Sequence, residues 1–288
     1  MTEPKADRTL TVVAAGPQLT VQDLGRPGHA HLGVPRSGAL DGPALRLANR
    51  LVGNDEGAAG LESLGGGVRL RTGVAMALAV TGAQVTVRVD GRAREWGQAV
   101  IVRAGSEVVL GTPERGLRCY VAVSGGLDVP VTLGSRSTDL LSGIGPDPVR
   151  DGDVLPVGEP QGHAVPVETT RWEPVRHELR MRLGPRDDWF DPESLARLAE
   201  APYVVSSESN RIGLRLQGTA LRRVREEELP SEGMVLGAVQ VPPSGQPVVF
   251  LNDHPTTGGY PVVGVVLPED LPTCAQLRPG EEVRLRVV

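Results

Sequence analysis

The sequence predicts a mainly β architecture, and three observations support that prediction. Aromatic residues make up only 3% of the 288 residues, so valine, leucine and alanine must fill the interior. Valine-rich interiors favour strands over helices, because β-branched side chains pack well on a pleated surface. The 37 glycines and 25 prolines lie between short apolar runs, which indicates many turns.

Apolar runs that end at a turn residue have the pattern of short strands. In the first half of the chain these runs are TLTVVAAG, MALAVTG, QVTVRVDG, QAVIVRAG, EVVLG and LRCYVAVSGG. Asp90-Gly91 separates two alternating segments, and this dipeptide favours the tight turn of a β-hairpin. The first half is therefore predicted to form an antiparallel barrel or sandwich.

Three short helices interrupt the predicted strands. They run from about Pro43 to Val52, from Pro192 to a point before Pro202, and from about Leu271 to Leu277. Asp41 or Gly42 is the expected N-cap of the first helix, and Asp191 is the expected N-cap of the second. The third helix is ended by the turn sequence RPG.

A change in composition marks the predicted domain boundary. The stretch GEPQGHAVPVETTRWEP, from Gly158 to Pro174, has no sustained period and is rich in proline, glycine and charge, as a linker is. We therefore expect an N-terminal β domain over residues 1–174 and a C-terminal β domain over residues 175–288.

Charge and cysteine usage exclude several classes of protein. The net charge of −5 comes with no basic stripe, which argues against a nucleic-acid partner. The polar N-terminus and the lack of a long apolar run predict neither a signal peptide nor a membrane partner, and a cytoplasmic location is expected. Cys119 and Cys274 stand far apart without a metal-ligand pattern, so buried free thiols are expected.

Lysine is nearly absent, because Lys5 is the only lysine among the 30 basic residues. This excludes a Schiff-base lysine, a P-loop lysine and a biotin-carrying lysine from the body of the chain. Arginine must therefore bind any carboxylate or phosphate, and its planar guanidinium suits that task.

Polar residues concentrate in three glycine-containing loops. These are VQDLGRPG with Gln22, Asp23 and Arg26, LGSRSTDL with Arg136 between two serines, and NDHPTTGGYP with Asp253, His254, Thr256 and Thr257. Such residues either cap turns or line a pocket, and their number favours a pocket for a small anionic or amide-bearing molecule. Arg26 or Arg136 would bind a carboxylate, and Asp23 would move a proton.

No metal site is predicted. His29 and His31 are spaced by two residues, but no further ligand with recognisable spacing lies near them.

Seven blocks of sequence carry a resemblance to a known family: TVQDLGRPG, LGVPRSGALD, ALRLANRLVGN, VAVSGGLDVPVTLGSRSTDL, LGPRDDWF, LPSEGMVLGAVQVPPSGQPVV and TTGGYPVVGVV. Together they resemble the family of 5-oxoprolinase C subunits, also called biotin-dependent carboxyltransferase or KipA-like proteins, which is related to the second subunit of allophanate hydrolase. The blocks are collinear from about residue 9 to residue 287. The resemblance implies two cyclophilin-like β-barrel domains with a few short helices.

The resemblance also implies an activity and partners. Such a chain would act with the A and B subunits, of which the B subunit is KipI-like, in an enzyme that uses ATP to open the cyclic amide 5-oxoproline to glutamate. No nucleotide-binding loop is visible in this chain, so the ATP site would be either unconventional and shared with the B subunit, or on a partner. Biotin would not be attached to this chain, because it has no suitable lysine.

Site residues follow from the matched motifs. The positions predicted to bind substrate are Gln22, Ser37, Asp41, Asn49, Arg136, Ser137, Thr138, Glu232, Gln240, Thr256, Thr257, Gly258, Gly259 and Tyr260. Asp23 and Arg26 are the predicted catalytic residues, on the chemical grounds given above. The chain departs from the commoner family pattern at Asn210, Pro255 and Val262, where the last two replace a glutamine and a lysine.

Two other functions remain open at this stage. A KipA-like regulator would bind an inhibitor of a sensor kinase without turnover. A carboxyltransferase part of a urea-metabolising or amide-metabolising enzyme would depend on a biotinylated carrier.

Overall fold

The computed structural model describes residues 8–165, 170, 174–225 and 227–288, and it confirms the mainly β class. The chain divides into two units. Of the described residues, 8–26, 41–138, 143–165 and 170 form the first unit. Pro27–Leu40, Asp139–Ser142 and the described residues from Pro174 onward form the second unit.

The described residues of the first unit form eleven strands and one α-helix. The strands are β1 (Thr9–Ala14), β2 (Gln18–Gln22), β3 (Gly60–Leu64), β4 (Arg69–Thr72), β5 (Met76–Gln84), β6 (Val87–Val89), β7 (Arg92–Arg94), β8 (Ala99–Val102), β9 (Glu107–Leu110), β10 (Arg115–Val123) and β11 (Val154–Pro156). One sheet has the order β11-β1-β4-β9-β6-β7, and the other has the order β2-β3-β10-β5-β8. All six apolar runs noted in the sequence contribute strands, and the predicted hairpin is β6–β7, turning at Asp90-Gly91.

Alternation along the strands builds the core of this unit. Cys119, Val121 and Val123 of β10 are buried in a cluster that also contains Leu10 of β1 and Leu70 of β4. The core therefore receives side chains from both sheets, as expected when each strand presents alternate residues to one face.

Helix α1 (Gly42–Leu51) follows the signals in its sequence. The side chain of Asp41 caps it by accepting a hydrogen bond from the Ala44 backbone N–H at 3.0 Å. Ala48 and Leu51 of its apolar face pack in one cluster with Ala79 of β5, on the face of the five-stranded sheet that points away from the main core. The small alanine side chains let helix and sheet approach closely.

The second unit is built on a closed barrel. Its elements are β12 (Glu178–Leu183), α2 (Pro192–Glu200), β13 (Tyr203–Val205), β14 (Gly213–Gln217), β15 (Glu232–Gly233), β16 (Ala238–Gln240), β17 (Val248–Phe250), β18 (Thr257–Gly258), β19 (Val262–Val266), α3 (Leu271–Cys274) and β20 (Glu282–Val287). The barrel order is β12-β19-β16-β17-β14-β13-β20, and parallel pairing of β12 with β20 closes it. Strands β15 and β18 form a separate two-stranded ribbon.

The helices of this unit agree with prediction in two respects and differ in one. Helices α2 and α3 both form, and Asp191 caps α2 by accepting the Ser194 N–H at 2.9 Å, as predicted. Helix α3 ends at Cys274, three residues earlier than predicted, and a 3₁₀ turn (Pro268–Asp270) precedes it. Helix ends of this kind often tighten into 3₁₀ geometry, which apolar spacing does not reveal.

Both cysteines are buried thiols that form no disulfide, as predicted. Burial raises the pKa of the Cys119 thiol to about 12. In the described part of the chain, no helix combines the length and the apolar character needed to span a bilayer.

Candidate functional site

The first unit contains a cavity of about 610 Å³, a volume typical of small-molecule sites. Its lining residues are Asn54, Asp55, Gly57, Ala58, Ala59, Gly125, Gly126, Leu127, Asp128, Arg136, Gly158, Glu159, Pro160 and Gln161. Arg136 is the one basic residue among them, and three are acidic. Residues 158–161, which the composition assigned to a linker, form part of this wall.

Two asparagines hold one wall of the cavity. Asn49, on the buried face of α1, donates from Nδ2 to the carbonyl oxygens of Glu56 (3.2 Å) and Ala58 (2.8 Å). Asn54 donates from its own Nδ2 to Asn49 Oδ1 at 3.0 Å and to Val123 O at 2.8 Å. These hydrogen bonds fix the loop between α1 and β3 to the helix. Asn49 therefore supports the wall of the cavity without lining the cavity itself.

Glycines form another part of the cavity lining, because two backbones approach closely there. Gly125 has φ +97°, and a Cβ at this position would lie 2.0 Å from the carbonyl oxygen of Gly158. A Cβ at Gly158 would in turn lie 2.5 Å from Gly125 O. The Gly125 N–H donates to Asn54 Oδ1 at 2.8 Å, which links this wall to the asparagine pair.

Arg136 reaches the cavity with its guanidinium group. Nε donates to Val129 O at 2.8 Å, and Nη2 contacts Asp128 Oδ1 at 2.6 Å. The side chains of Arg136 and Asp128 are 34% and 60% exposed, so this ion pair lies in contact with solvent. Such a pair contributes little to stability and can open at little cost.

The carboxylate of Asp23 fixes the backbone at Arg136. Oδ2 accepts the Arg136 N–H at 2.6 Å, while Oδ1 accepts the hydroxyls of Ser135 (2.6 Å) and Ser137 (2.5 Å) and the N–H of Gly25 (2.7 Å). Asp23 is only 9% exposed. Four donors therefore hold this carboxylate, and its contacts are those of a group that positions the Arg136 turn.

Arg26 supports the same turn from inside. It is 2% exposed, and its Nη2 donates to Ser137 O while its Nε donates to Thr132 O at 3.4 Å. Gly145 makes room for this contact, because a Cβ there would lie 2.1 Å from Ser137 O. The guanidinium therefore binds backbone carbonyls of the turn, and it does not line the cavity.

Gln22 and Thr138 join the turn to the end of β2. Gln22 is fully buried and donates from Nε2 to Thr20 Oγ1 (3.1 Å) and to Thr138 O (3.0 Å). The backbone N–H of Thr138 donates to Val21 O at 2.9 Å. The loops VQDLGRPG and LGSRSTDL are thus one interlocked structure.

A buried polar network lies beside the start of α1, and no sequence motif indicated it. Tyr120 donates its hydroxyl hydrogen to Glu62 Oε2 at 2.9 Å and accepts the Asp41 N–H at 2.8 Å. Burial raises the pKa of Tyr120 well above its usual value, and the carboxylates of Glu62 and Asp41 raise it further. Asp41 therefore serves as a helix cap and as an anchor to β10.

In the second unit, Asn252 clamps the segment that contains Ser37. Its Nδ2 contacts the carbonyl oxygens of Ser37 (3.3 Å), Gly38 (3.2 Å) and Ala39 (3.0 Å), and its backbone carbonyl accepts the Ser37 N–H at 2.9 Å. Ser37 has φ +51°, a left-handed conformation that is uncommon for residues other than glycine. The clamp maintains this strained turn, and strained turns are frequent at functional sites.

Arg211 and Asp253 form a buried ion pair next to this clamp. Arg211 Nε and Nη2 each contact a carboxylate oxygen of Asp253 at 2.9 Å, and both side chains are 0% exposed. Nη2 also donates to Gly38 O at 2.8 Å, and Asp253 Oδ2 accepts the Leu140 N–H at 3.1 Å. Arg211 was missed by sequence reasoning, since no glycine-rich loop surrounds it.

His254 follows this pair and is buried. Its Nδ1 lies 2.7 Å from the carbonyl oxygen of Pro255, so Nδ1 carries the hydrogen, and its ring stacks on Phe250 with centroids 5.9 Å apart. Burial lowers the pKa of His254, and the nearby charge of Arg36 lowers it further. The imidazole is therefore neutral at pH 7.

The TTGGY motif forms a ribbon at the edge of the second unit. Glu232 pairs with Gly258 across β15 and β18, and its carboxylate forms an ion pair with Arg186. Gln240 Nε2 donates to Tyr260 O at 3.1 Å. Tyr260 itself is exposed, as is Thr257.

The structure thus divides the predicted site residues into two groups. The first unit holds Gln22, Asp23, Arg26, Asp41, Asn49, Arg136, Ser137 and Thr138, and the second holds Ser37, Glu232, Gln240, Thr256, Thr257, Gly258, Gly259 and Tyr260. Of these residues, Arg136 alone lines the 610 Å³ cavity. The departures from the family pattern have local consequences: Asn210 caps a turn by accepting the Ile212 N–H at 2.8 Å, and Val262 is buried against Phe250.

Comparison with protein families and curated proteins gives consistent matches. The sequence model of the carboxyltransferase domain, subdomain A and B, matches residues 32–287. The C subunit of Escherichia coli 5-oxoprolinase is 40% identical over 277 residues, which cover 95% of this chain and 89% of that protein. Urea amidolyase of Saccharomyces cerevisiae is 30% identical over 98% of this chain, but the match covers only 16% of that protein.

Solved structures show the same fold. A crystal structure of the protein TTHA0988 superimposes with a TM-score of 0.85 at 37% identity, over 100% of this chain and 56% of that one. The urea carboxylase of Kluyveromyces lactis gives a TM-score of 0.88 at 27% identity, over 99% of this chain and 28% of that one. The chain thus spans about half of TTHA0988 and a smaller part of the urea-metabolising proteins.

Proposed function

The chain belongs to the family of carboxyltransferase domains, subdomains A and B, and we propose that it is the C subunit of an ATP-dependent 5-oxoprolinase. One observation carries this proposal: the identity with the C subunit of the Escherichia coli enzyme extends along nearly the whole of both chains. The proposed reaction is hydrolysis of the lactam bond of 5-oxoproline to glutamate, driven by ATP, in the cytoplasm.

Partner proteins are part of the proposal. The sequence contains no P-loop lysine, and the ATP site is proposed either to be unconventional and shared with the B subunit or to lie on a partner. The relative is named as one of several subunits, which supports a multi-subunit enzyme. Biotin is not attached to this chain in this scheme, since its single lysine is Lys5.

We assign Asp23 and Arg26 a positioning role in this enzyme. The four donors on the Asp23 carboxylate and the burial of Arg26 support it, because neither group reaches the cavity that Arg136 lines. The predicted substrate residues of the second unit, Ser37, Glu232, Gln240 and the TTGGY ribbon, are proposed to bind substrate in the assembled enzyme.

The test is glutamate release from 5-oxoproline by this chain assembled with its cognate A and B subunits. We expect turnover that requires ATP and all three proteins. Leaving out this chain should abolish glutamate release. Absence of turnover from an assembled wild-type complex would contradict the proposal.

Carboxyl transfer is the second candidate, and the matches to urea amidolyase and urea carboxylase along almost the whole of this chain favour it. Biotin would then be carried by a separate protein. Inhibition of turnover by avidin, with recovery when excess biotin is added, would support this candidate. A 5-oxoprolinase that avidin leaves unaffected would exclude it.

A further inference from the structure

We infer that the 610 Å³ cavity of the first unit is a binding site for a small lactam acid, and that Arg136 binds the carboxylate of that ligand. The identity of the ligand as 5-oxoproline rests on the proposed function. The location of the site, and the requirement for a carboxylate together with a hydrogen-bond donor, rest on the cavity itself.

The charges that line the cavity select a ligand with two kinds of group. Arg136 attracts an anionic group, while the carboxylates of Asp55, Asp128 and Glu159 accept hydrogen bonds and disfavour a ligand that offers only anionic acceptor atoms. A molecule that carries both a carboxylate and an amide N–H satisfies both parts of the lining. The carboxylate contacts Arg136, and the N–H donates to Asp55 or Glu159.

Arg136 can take up a ligand carboxylate without leaving a buried charge unpaired. Its present partner, Asp128, is 60% exposed and returns to water when the pair opens. The Nε contact with Val129 O keeps the side chain in place while Nη2 changes partner. The exchange replaces one carboxylate partner of Arg136 by another.

The supports around Arg136 make the site rigid before the ligand arrives. The Asp23 carboxylate accepts the Arg136 N–H, and Arg26 donates to the carbonyl oxygen of Ser137, the next residue in the chain. Asn49 and Asn54 fix the loop between α1 and β3, which also lines the cavity. A preorganised site loses less conformational entropy on binding, so these buried motif residues influence affinity through Arg136.

The experiment is a calorimetric titration of the full chain, alone and in the complex with its partners, with two ligands. One is 5-oxoproline, and the other is 2-pyrrolidinone, the same lactam without the carboxylate. We expect the wild-type protein to bind 5-oxoproline at least about tenfold more tightly than 2-pyrrolidinone. Arg136→Gln should remove that preference, and Arg150→Gln, at an exposed arginine of the same unit, should keep it.

A second variant separates ligand binding from a structural role. Asp128→Asn removes the carboxylate that competes for Arg136, so we expect it to bind 5-oxoproline several-fold more tightly than the wild type. A merely structural ion pair would give no tighter binding. Unchanged preference in Arg136→Gln, or weaker binding in Asp128→Asn, overturns the inference.

The outcomes also separate this inference from the proposed function. If the complex turns over 5-oxoproline while Arg136→Gln leaves both binding and turnover unchanged, the proposed activity is supported and the inferred binding site is wrong. If the complex shows no turnover but the chain binds the lactam acid through Arg136, the inferred binding site is supported and the proposed reaction is wrong.

Discussion

Two arginine–aspartate pairs, one in each unit, have the same chemistry and opposite surroundings. Arg136 and Asp128 line a cavity, and both remain partly exposed. Arg211 and Asp253 meet in the interior with no exposed surface, and three further backbone and side-chain contacts fix them there. The first pair is open to a ligand, and the second is closed.

Desolvation explains why this difference matters. Opening an exposed pair returns both charges to water, at a cost of about 1 kcal/mol or less. Breaking a buried pair leaves one charge without compensation in a medium that solvates it poorly. The polar loops noted in the sequence contribute Arg136 to the first pair and Asp253 to the second. Membership of such a loop therefore does not distinguish a ligand-binding residue from a structural one, and exposure does.

The largest expected effect is at the closed pair. Arg211→Ala leaves the buried carboxylate of Asp253 unpaired, and we expect the free energy of unfolding of the second unit to fall by about 3–5 kcal/mol. Urea unfolding monitored by circular dichroism measures it. A loss below about 1 kcal/mol would be typical of an exposed ion pair and would contradict the expected cost of leaving a buried charge without its partner.

A smaller effect on stability is expected at Asp23, whose carboxylate fixes the backbone of Arg136 in the open pair. Asp23→Ala removes the acceptor of four hydrogen bonds, and we expect a loss of about 2 kcal/mol together with weaker binding of 5-oxoproline. Turnover by the complex should show a raised KM and a smaller change in kcat, because Asp23 acts through Arg136. A loss of kcat alone with KM unchanged would instead indicate a direct role in proton transfer.

A pH effect is expected at His254, which faces Arg36, Asp139 and Asp253. Its pKa is lower in the folded chain than the value of about 6.5 in the unfolded chain, so the unfolded state binds the proton first as the pH falls. Stability should therefore decrease as the pH falls below about 6.5 towards the folded-state pKa. In His254→Gln that decrease should be smaller. Identical stability profiles of the variant and the wild type between neutral and mildly acidic pH would contradict this.

The smallest effect on stability is expected at the open pair itself. Arg136→Gln should change the free energy of unfolding by less than about 1 kcal/mol, because the pair is exposed. Arg150→Gln provides the matched control in the same unfolding experiment. A loss as large as that of Arg211→Ala would remove the distinction between the two pairs.

Local signals were sufficient to predict much of the fold. The Asp90-Gly91 hairpin and the capped helices α1 and α2 depend on residues within one turn of each other, and the structure has all three. The family blocks identified the loops that meet around Arg136. These features need no knowledge of how distant segments pack.

Tertiary contacts account for what the sequence did not reveal. Arg211 and Asp253 are 42 positions apart, and nothing near either residue indicates the other. Gly125 and Gly158 form a cavity wall only because the strands before them bring two backbones together. Arg26 and Arg136 both lie in glycine-containing loops, so the sequence does not show which of them lines the cavity. Burial in the folded chain decides this, because Arg26 is buried and Arg136 lines the cavity.

The most direct measurement is the NMR signal of the arginine Nε–H groups during a titration with 5-oxoproline, with the two signals assigned through Arg136→Gln and a conservative Arg211→Lys variant. The account predicts that the Arg136 signal shifts with ligand concentration while the Arg211 signal stays in place. A shift at Arg211, or a stationary Arg136 signal while other arginine signals move, would contradict it.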